Sequence, residues 1–197
     1  MPDYLLQLDR HLFYFINHDL ANPFFDWIMP YIRNPKCWIP LYLFIIFFCI
    51  RNFKKQGLII IVMLTLSAGF ADFTSASMVK QVAKSVRPCR DPVTSKTDIA
   101  RVNCGTGYSF PSTHATDHFA VAVFMIMLFY KRWKWILFWG VLWAGSICFA
   151  QVYVGVHYPI DVICGALYGT LIGWFFSKLF QRLAPMLYNE LTPEAGS

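Results

Sequence analysis

His157 and Asp161 lie four residues apart in the stretch Gly155-Val156-His157-Tyr158-Pro159-Ile160-Asp161. Pro159 fits the first position of a helix, which sets His157 just before that helix and Asp161 in its first turn. A carboxylate at that spacing can accept from one ring nitrogen and fix the tautomer, leaving the other nitrogen free to attack. A second cluster, Phe110-Pro111-Ser112-Thr113-His114, directly precedes an apolar run. Ser112 or Thr113 is a candidate N-cap there, and the free N–H groups and positive dipole end behind it make an anion site. His114 at the same end can donate a proton to a leaving oxygen. A third cluster, Lys80, Lys84, Arg87 and Pro88, ends the preceding apolar segment. Lys80 and Arg87 share a helix face if the helix continues, although Pro88 disfavours helix just before it. Two converging cations suit a phosphate, Arg as a planar fork and Lys as a point charge. Read alone, they also fit side chains that snorkel from a span end.

The elements that must position these clusters are apolar. Of 197 residues, 57% are hydrophobic and only 14% charged, against about 25% charged in a soluble domain. The seven Trp and ten Tyr suit membrane interfaces. The net charge of +6 is spread between apolar runs rather than held in a basic tract, so nucleic acid is not an expected partner. Candidate spans are Cys37 to Ile50, Gly57 to about Met78, Ala115 to Tyr130, Trp135 to about Tyr153, and Ile160 to Phe180. The sequence thus predicts an all-α integral membrane bundle of five to six transmembrane helices over residues 35–182. Pro23 to Ile32 is the candidate sixth crossing, broken by Asp26 and Pro30. Residues 1–34 read as N-terminal amphipathic or interfacial helices and residues 183–197 as a C-terminal tail. Within the former, Leu5, Leu8, Leu12, Phe15 or Ile16, and Leu20 share a face. That segment either lies in the interface or packs on the bundle as an ordinary helix. The start lacks the basic region of a secretory leader.

Orientation follows from the short loops. Arg51, Lys54 and Lys55, then Lys131, Arg132 and Lys134, then Lys178 and Arg182 fall on one side if the spans alternate. The positive-inside rule makes that side cytoplasmic. The loop from about Arg87 to Pro111 and the turn at Gly155 to Tyr158 then face outward, and all three clusters gather at one outer mouth. A transporter would hold its ionisable residues near the midplane instead.

Together, Lys80 through Arg87-Pro88, Pro111-Ser112-Thr113-His114, and His157 with Asp161 resemble the three-part motif of the type 2 phosphatidic-acid phosphatase superfamily. That motif runs K-x6-R-P, P-S-G-H and S-R-x5-H-x3-D; Thr113 stands in place of the glycine. The resemblance covers roughly residues 57 to 180. It implies a metal-independent lipid-phosphate phosphatase that hydrolyses a phosphate monoester or diphosphate through a phosphohistidine. His157 would be the nucleophile, Asp161 its orienting partner, and His114 the acid and then the base. Lys80, Arg87, Ser112 and Thr113 would hold the phosphoryl oxygens. No metal or cofactor is expected, since cations crowd the mouth and no clustered carboxylates offer a hard-ion site. The implied partners are a lipid phosphate substrate and membrane lipids, and the implied site is a bacterial inner (plasma) membrane, active site facing the periplasm or outside. Phosphatidylglycerol phosphate, phosphatidate, a polyprenyl diphosphate and a lipid A phosphate all satisfy the motifs, which see only the phosphate. Nothing in the residues bears on oligomeric state.

One position departs from the pattern. The arginine expected six residues before His157 is Gln151, which can still hydrogen-bond a phosphate oxygen but brings no charge. Loss of a charge-assisted fork weakens transition-state binding by about 2–4 kcal/mol, roughly 30- to 1000-fold in rate. The alternatives are a catalytically impaired or non-catalytic lipid-phosphate-binding relative, or compensation by Lys84 or Arg90. Of the six cysteines, Cys37, Cys49, Cys148 and Cys164 sit in apolar runs as small hydrophobes. Cys89 and Cys104 share the outer loop and can pair in an oxidising compartment.

Overall fold

A computed structural model describes residues 3–192. Residues 1–2 of the N-terminal region and 193–197 of the C-terminal tail lie outside the described residues. Helix α1 (Asp3–Tyr14) passes through a wide π-helical turn, Phe15–Asp19, to α2 (Pro23–Ile32). Asn22 caps α2 by accepting from the Phe25 N–H at 2.9 Å, with Pro23 in the first turn. Next comes α3 (Ile39–Phe73), broken at Lys54, whose φ is 51°. A Cβ on Gly57 would collide with the Cys49 carbonyl, although in an unbroken helix the two residues would stand about 12 Å apart. The chain therefore reverses at the basic turn, and α3 is a hairpin of two arms. A π-turn, Thr74–Val79, leads to the short α4 (Lys80–Ala83). Then follow α5 (Thr113–Phe129), α6 (Trp135–Tyr153), α7 (Pro159–Leu183) and α8 (Pro185–Leu191).

The chain is an integral membrane protein. Three stretches are long and apolar enough to span: Pro35–Lys96, which contains both arms of α3, Trp135–Tyr153 and Pro159–Leu183; Thr113–Phe129 is a shorter apolar helix. Leu43, Phe47, Leu66, Trp139, Leu167 and Leu171 are all exposed on the bundle's flank. Such a surface is stable against hydrocarbon and not against water. The ten residues of α2 reach about 15 Å, half the hydrocarbon core.

Close approach of α5 and α7 makes the site possible. Gly165, Gly169 and Gly173 recur every fourth residue on one face of α7. A Cβ at Gly165 would lie 2.6 Å from the Ser112 carbonyl, one at Gly173 2.5 Å from that of Ala120, and one at Gly169 would overlap that of Thr116. Small residues let helix backbones meet in this way. Phe124, Leu128, Phe129 and Phe180 fill one end of the interface, while Ser109, Ser112, Gln151, His157 and Asp161 are buried at the opposite end.

Helix α1 leaves Leu8 and Leu12 exposed, with Phe15 just beyond it, and packs on the bundle through its other face. That face buries Phe13 edge-on against Tyr158, ring centroids 5.4 Å apart, and Asp9 accepts from the Ile160 N–H at 2.9 Å. Helix α1 therefore caps the N-terminus of α7.

Candidate active site

Asp161 sits in the first turn of α7, where its Oδ2 accepts from the Tyr158 N–H at 2.9 Å and from the Ser109 hydroxyl. His157 Nδ1 lies 3.5 Å from the same Asp161 oxygen and 3.3 Å from Ser109 Oγ. Ser109 gives its single proton to Asp161, so its oxygen accepts from Nδ1–H. That tautomer leaves Nε2 unprotonated. Arg87 Nη1 stands 3.2 Å from Nε2 and donates to it. His157 is 2% exposed and Asp161 1%. Burial pushes the His157 imidazole down to about 4, with Asp161 opposing and the Arg87 and Lys80 charges adding to the fall. The ring is neutral at physiological pH.

Lys80 and Arg87 converge by a route different from the expected shared helix face. Helix α4 stops at Ala83, Lys84 turns left-handed at φ 46°, and Arg87 is extended. Pro88 accounts for the extended Arg87, because proline disfavours helix at the residue before it. Arg87 is then clamped by its own loop, donating from Nε to the Gly107 carbonyl at 2.9 Å and from Nη1 to the Val156 carbonyl at 3.0 Å. A disulfide joins Cys89 to Cys104 with Cα atoms 6.1 Å apart. Gly105, next to that bond, leaves its bare backbone against the guanidinium, whose carbon is 3.4 Å from where a Cβ would stand.

Ser112 is the N-cap of α5, its Oγ accepting from the Ala115 N–H at 3.4 Å. Its own N–H donates to the Asp161 carbonyl at 3.0 Å, which ties the start of α5 to the first turn of α7. His114 follows in the first turn of α5, within electrostatic reach of His157, Lys80 and Arg33. The Thr113 hydroxyl is buried without a partner. Gln151 is fully buried near the end of α6, and neither its Nε2 nor its Oε1 has a partner among the described residues. Lys84 and Arg90, the expected compensating cations, are both exposed, and Arg90 is engaged with the Thr106 carbonyl at 3.0 Å. A cavity of about 540 Å³ runs between the arms of α3 and α5. Ile45, Ile46, Ile61 and Leu64 line its apolar part, and Thr113 and His114 stand at its polar part.

Ser109 escaped the sequence reading. Ser109 adjoins the Pro111-Ser112 cluster, but its bonds are to residues 48 and 52 positions away. No local spacing reports such a contact.

A neutral imidazole, backed on one nitrogen and met by a guanidinium on the other at one end of a membrane bundle, is an arrangement that can serve phosphoryl transfer. Family comparison agrees, since residues 56–185 match the PAP2 superfamily. The chain belongs to that family of membrane lipid phosphatases. It is 33% identical over its whole length to the lipid A 4'-phosphatase of Bacteroides thetaiotaomicron, covering 87% of that protein. Two crystal structures share the fold. The PAP2-type phosphatidylglycerolphosphate phosphatase of Bacillus subtilis superposes with a TM-score of 0.69 at 18% identity, over 92% of this chain and 88% of that one. Aquifex aeolicus LpxE gives 0.64 at 23% identity, over 87% and 95%.

Proposed function

We propose that this chain removes phosphate from a lipid at the outer face of a bacterial inner membrane, through a phosphohistidine on His157. The observation that carries the reading is the state of His157 Nε2, an unprotonated nitrogen contacted by Arg87 and backed by Ser109 and Asp161. Its lone pair attacks phosphorus, the bond from phosphorus to the lipid oxygen breaks, and His114 gives that oxygen a proton. Neutral His114 then takes a proton from water, the hydroxide attacks phosphorus, the phosphorus–nitrogen bond breaks, and inorganic phosphate leaves. Lys80, Arg87, Ser112, the Thr113 N–H and Gln151 hold the three equatorial oxygens, where positioning and charge do most of the work. The apolar part of the cavity, along Ile45, Ile46, Ile61 and Leu64, suits the acyl chains of a lipid whose phosphate rests at headgroup level.

A phosphorylated glycolipid of the lipid A type is the substrate we favour, on the strength of a relative similar along the full chain. Phosphate release should be measured on lipid A, phosphatidylglycerol phosphate, phosphatidate and a polyprenyl diphosphate, with acid-labile labelling of the protein as the second readout. Release from lipid A with a label lost in His157→Ala is expected. Release without any histidine-bound phosphate would sink the mechanism while sparing the activity. The second reading, a lipid-phosphate binder without turnover, is favoured by Gln151 in place of the family's arginine; binding of all four lipids with release from none would establish it.

A further inference from the structure

One arginine beside the pocket has no side-chain partner among the described residues. Arg33 follows α2, whose last turns lie on the end of α6. Met29 shares a buried cluster with Ala150, Tyr153, Val154 and Val156, and Ile32 packs against it. Gln151 belongs to that same turn of chain. Backbone bonds fix the position: the Arg33 N–H donates to the Met29 carbonyl at 3.1 Å, and Trp38 Nε1 donates to the Ile32 carbonyl at 2.8 Å. From there the guanidinium reaches the electrostatic neighbourhood of both His114 and Arg87. Its Nε is buried and unbonded. Burial alone perturbs its charge, with no carboxylate among the described residues acting on it.

The other arginines near the outer mouth are engaged. Arg10 bonds Asp91, Arg90 the Thr106 carbonyl, and Arg101 Asp26 together with the Asn17 and Tyr153 carbonyls. A guanidinium stays charged when buried, and the cost of burying it is recovered only beside an anion. Arg87 on His157, and Arg33 near both Arg87 and His114 without a carboxylate of its own, mark a place for a polyanion. The adjacent Gln151, uncharged and shorter than arginine, leaves that place without a third competing cation.

We propose that Arg33 is a phosphate-binding residue of this active site, supplying from α2 the charge that relatives draw from the position of Gln151. The inference rests on the phosphatase reading for the identity of the anion. It predicts that Gln151 does not mean an impaired enzyme.

The test is Arg33→Gln in the full chain, measured two ways. Orthovanadate affinity, read by protein melting over a vanadate series, does not depend on turnover; kcat/KM on the best lipid of the panel does. Arg33→Gln should weaken vanadate binding at least about tenfold and lower kcat/KM by about 100-fold, the range for removing one preorganised charged donor. Adding Gln151→Arg should recover at least tenfold of the loss, because the charge returns from the other side. If Arg33→Gln fails to fold, Arg33→Met keeps the packed stem and carries the same comparison. A folded variant with wild-type vanadate affinity overturns the proposal. A wild-type chain that releases no phosphate from any lipid defeats the phosphatase reading instead, and the vanadate comparison still decides the role of Arg33.

Discussion

Arg87 Nη1 stands 3.2 Å from His157 Nε2, on the ring nitrogen opposite the one that faces Ser109 and Asp161. The guanidinium therefore marks the side from which the phosphoryl group must arrive, and a phosphate oxygen takes over the hydrogen bond that Nε2 receives now. His157→Ala should abolish both turnover and covalent labelling. His114→Ala should still form the phosphohistidine slowly from substrates with a stable leaving group, since a proton donor matters less there. Single-turnover labelling with an aryl phosphate distinguishes the two roles, and equal labelling of the two variants contradicts the assignment.

Ser109 stands between the imidazole and the carboxylate, so it is a positioning residue. Ser109→Ala should lower kcat by about 10- to 100-fold, the usual effect of losing an orienting partner of a functional histidine. KM should hold, because the phosphate contacts come from other residues. The acid limb of the pH profile should also move, since Asp161 then faces His157 without the intervening hydroxyl. A loss confined to KM would assign Ser109 to substrate contact.

Local signals carried the legible part of this molecule. Pro159 at the first position of α7 placed His157 and Asp161, and a Ser-Thr-His string before an apolar run placed the start of α5. Uninterrupted apolar runs between basic turns gave the spans, because a bilayer demands them. At Lys80 and Arg87 two local rules compete: seven-residue spacing offers one face if the helix continues, Pro88 disfavours helix just before it, and the helix ends at Ala83. Contacts far apart in sequence were invisible. Asp9 meets Ile160 and Ser109 meets Asp161, and neither pair has a spacing to read.

The glycine stripe offers a sharp test of how the site is held together. Gly169→Ala should destabilise the bundle by about 1–3 kcal/mol, the cost of forcing a methyl into a closed interface, because the new carbon meets the Thr116 carbonyl, which cannot rotate away. Activity should fall with it as His114 and His157 separate. Gly69→Ala is the control: a Cβ there has nothing within 4 Å, and its helix should gain slightly. Thermal melting in detergent compares the two, and equal melting temperatures would show that α5 and α7 can yield.

The Cys89–Cys104 bridge closes a segment of 15 residues, for which chain entropy gives about 3 kcal/mol of stabilisation. It also holds Gly105 against the Arg87 guanidinium, so its loss should reach the site. Cys89→Ser with Cys104→Ser should lower the melting temperature and weaken vanadate binding together. Peptide mapping of the non-reduced protein should find the two cysteines joined. Alkylatable thiols at both positions, in protein prepared from an oxidising compartment without reductant, argue decisively against the bond.

Asp9 gives the pH dependence a sign. Burial raises its carboxyl from 3.8 to about 6, with Asp161 adding to the rise and the Ile160 N–H opposing it. The fold therefore prefers the neutral acid. Its contribution is present in full below the unfolded value near 4 and is lost as pH climbs through about 6. Above that, the ionised group costs about 1–3 kcal/mol. The dipole of α7 favours the anion by about 0.5 kcal/mol, too little to reverse the sign. Asp9→Asn keeps an acceptor for Ile160 and carries no charge. Relative to wild type, it should be neutral at pH 4 and more stable at pH 7, with the difference opening between those values. Asp98, raised to about 6 by its own burial, shifts both proteins alike and cancels in the comparison. An Asn variant less stable than wild type at pH 7 would mean that the ionised carboxylate is needed to hold α1 on the start of α7.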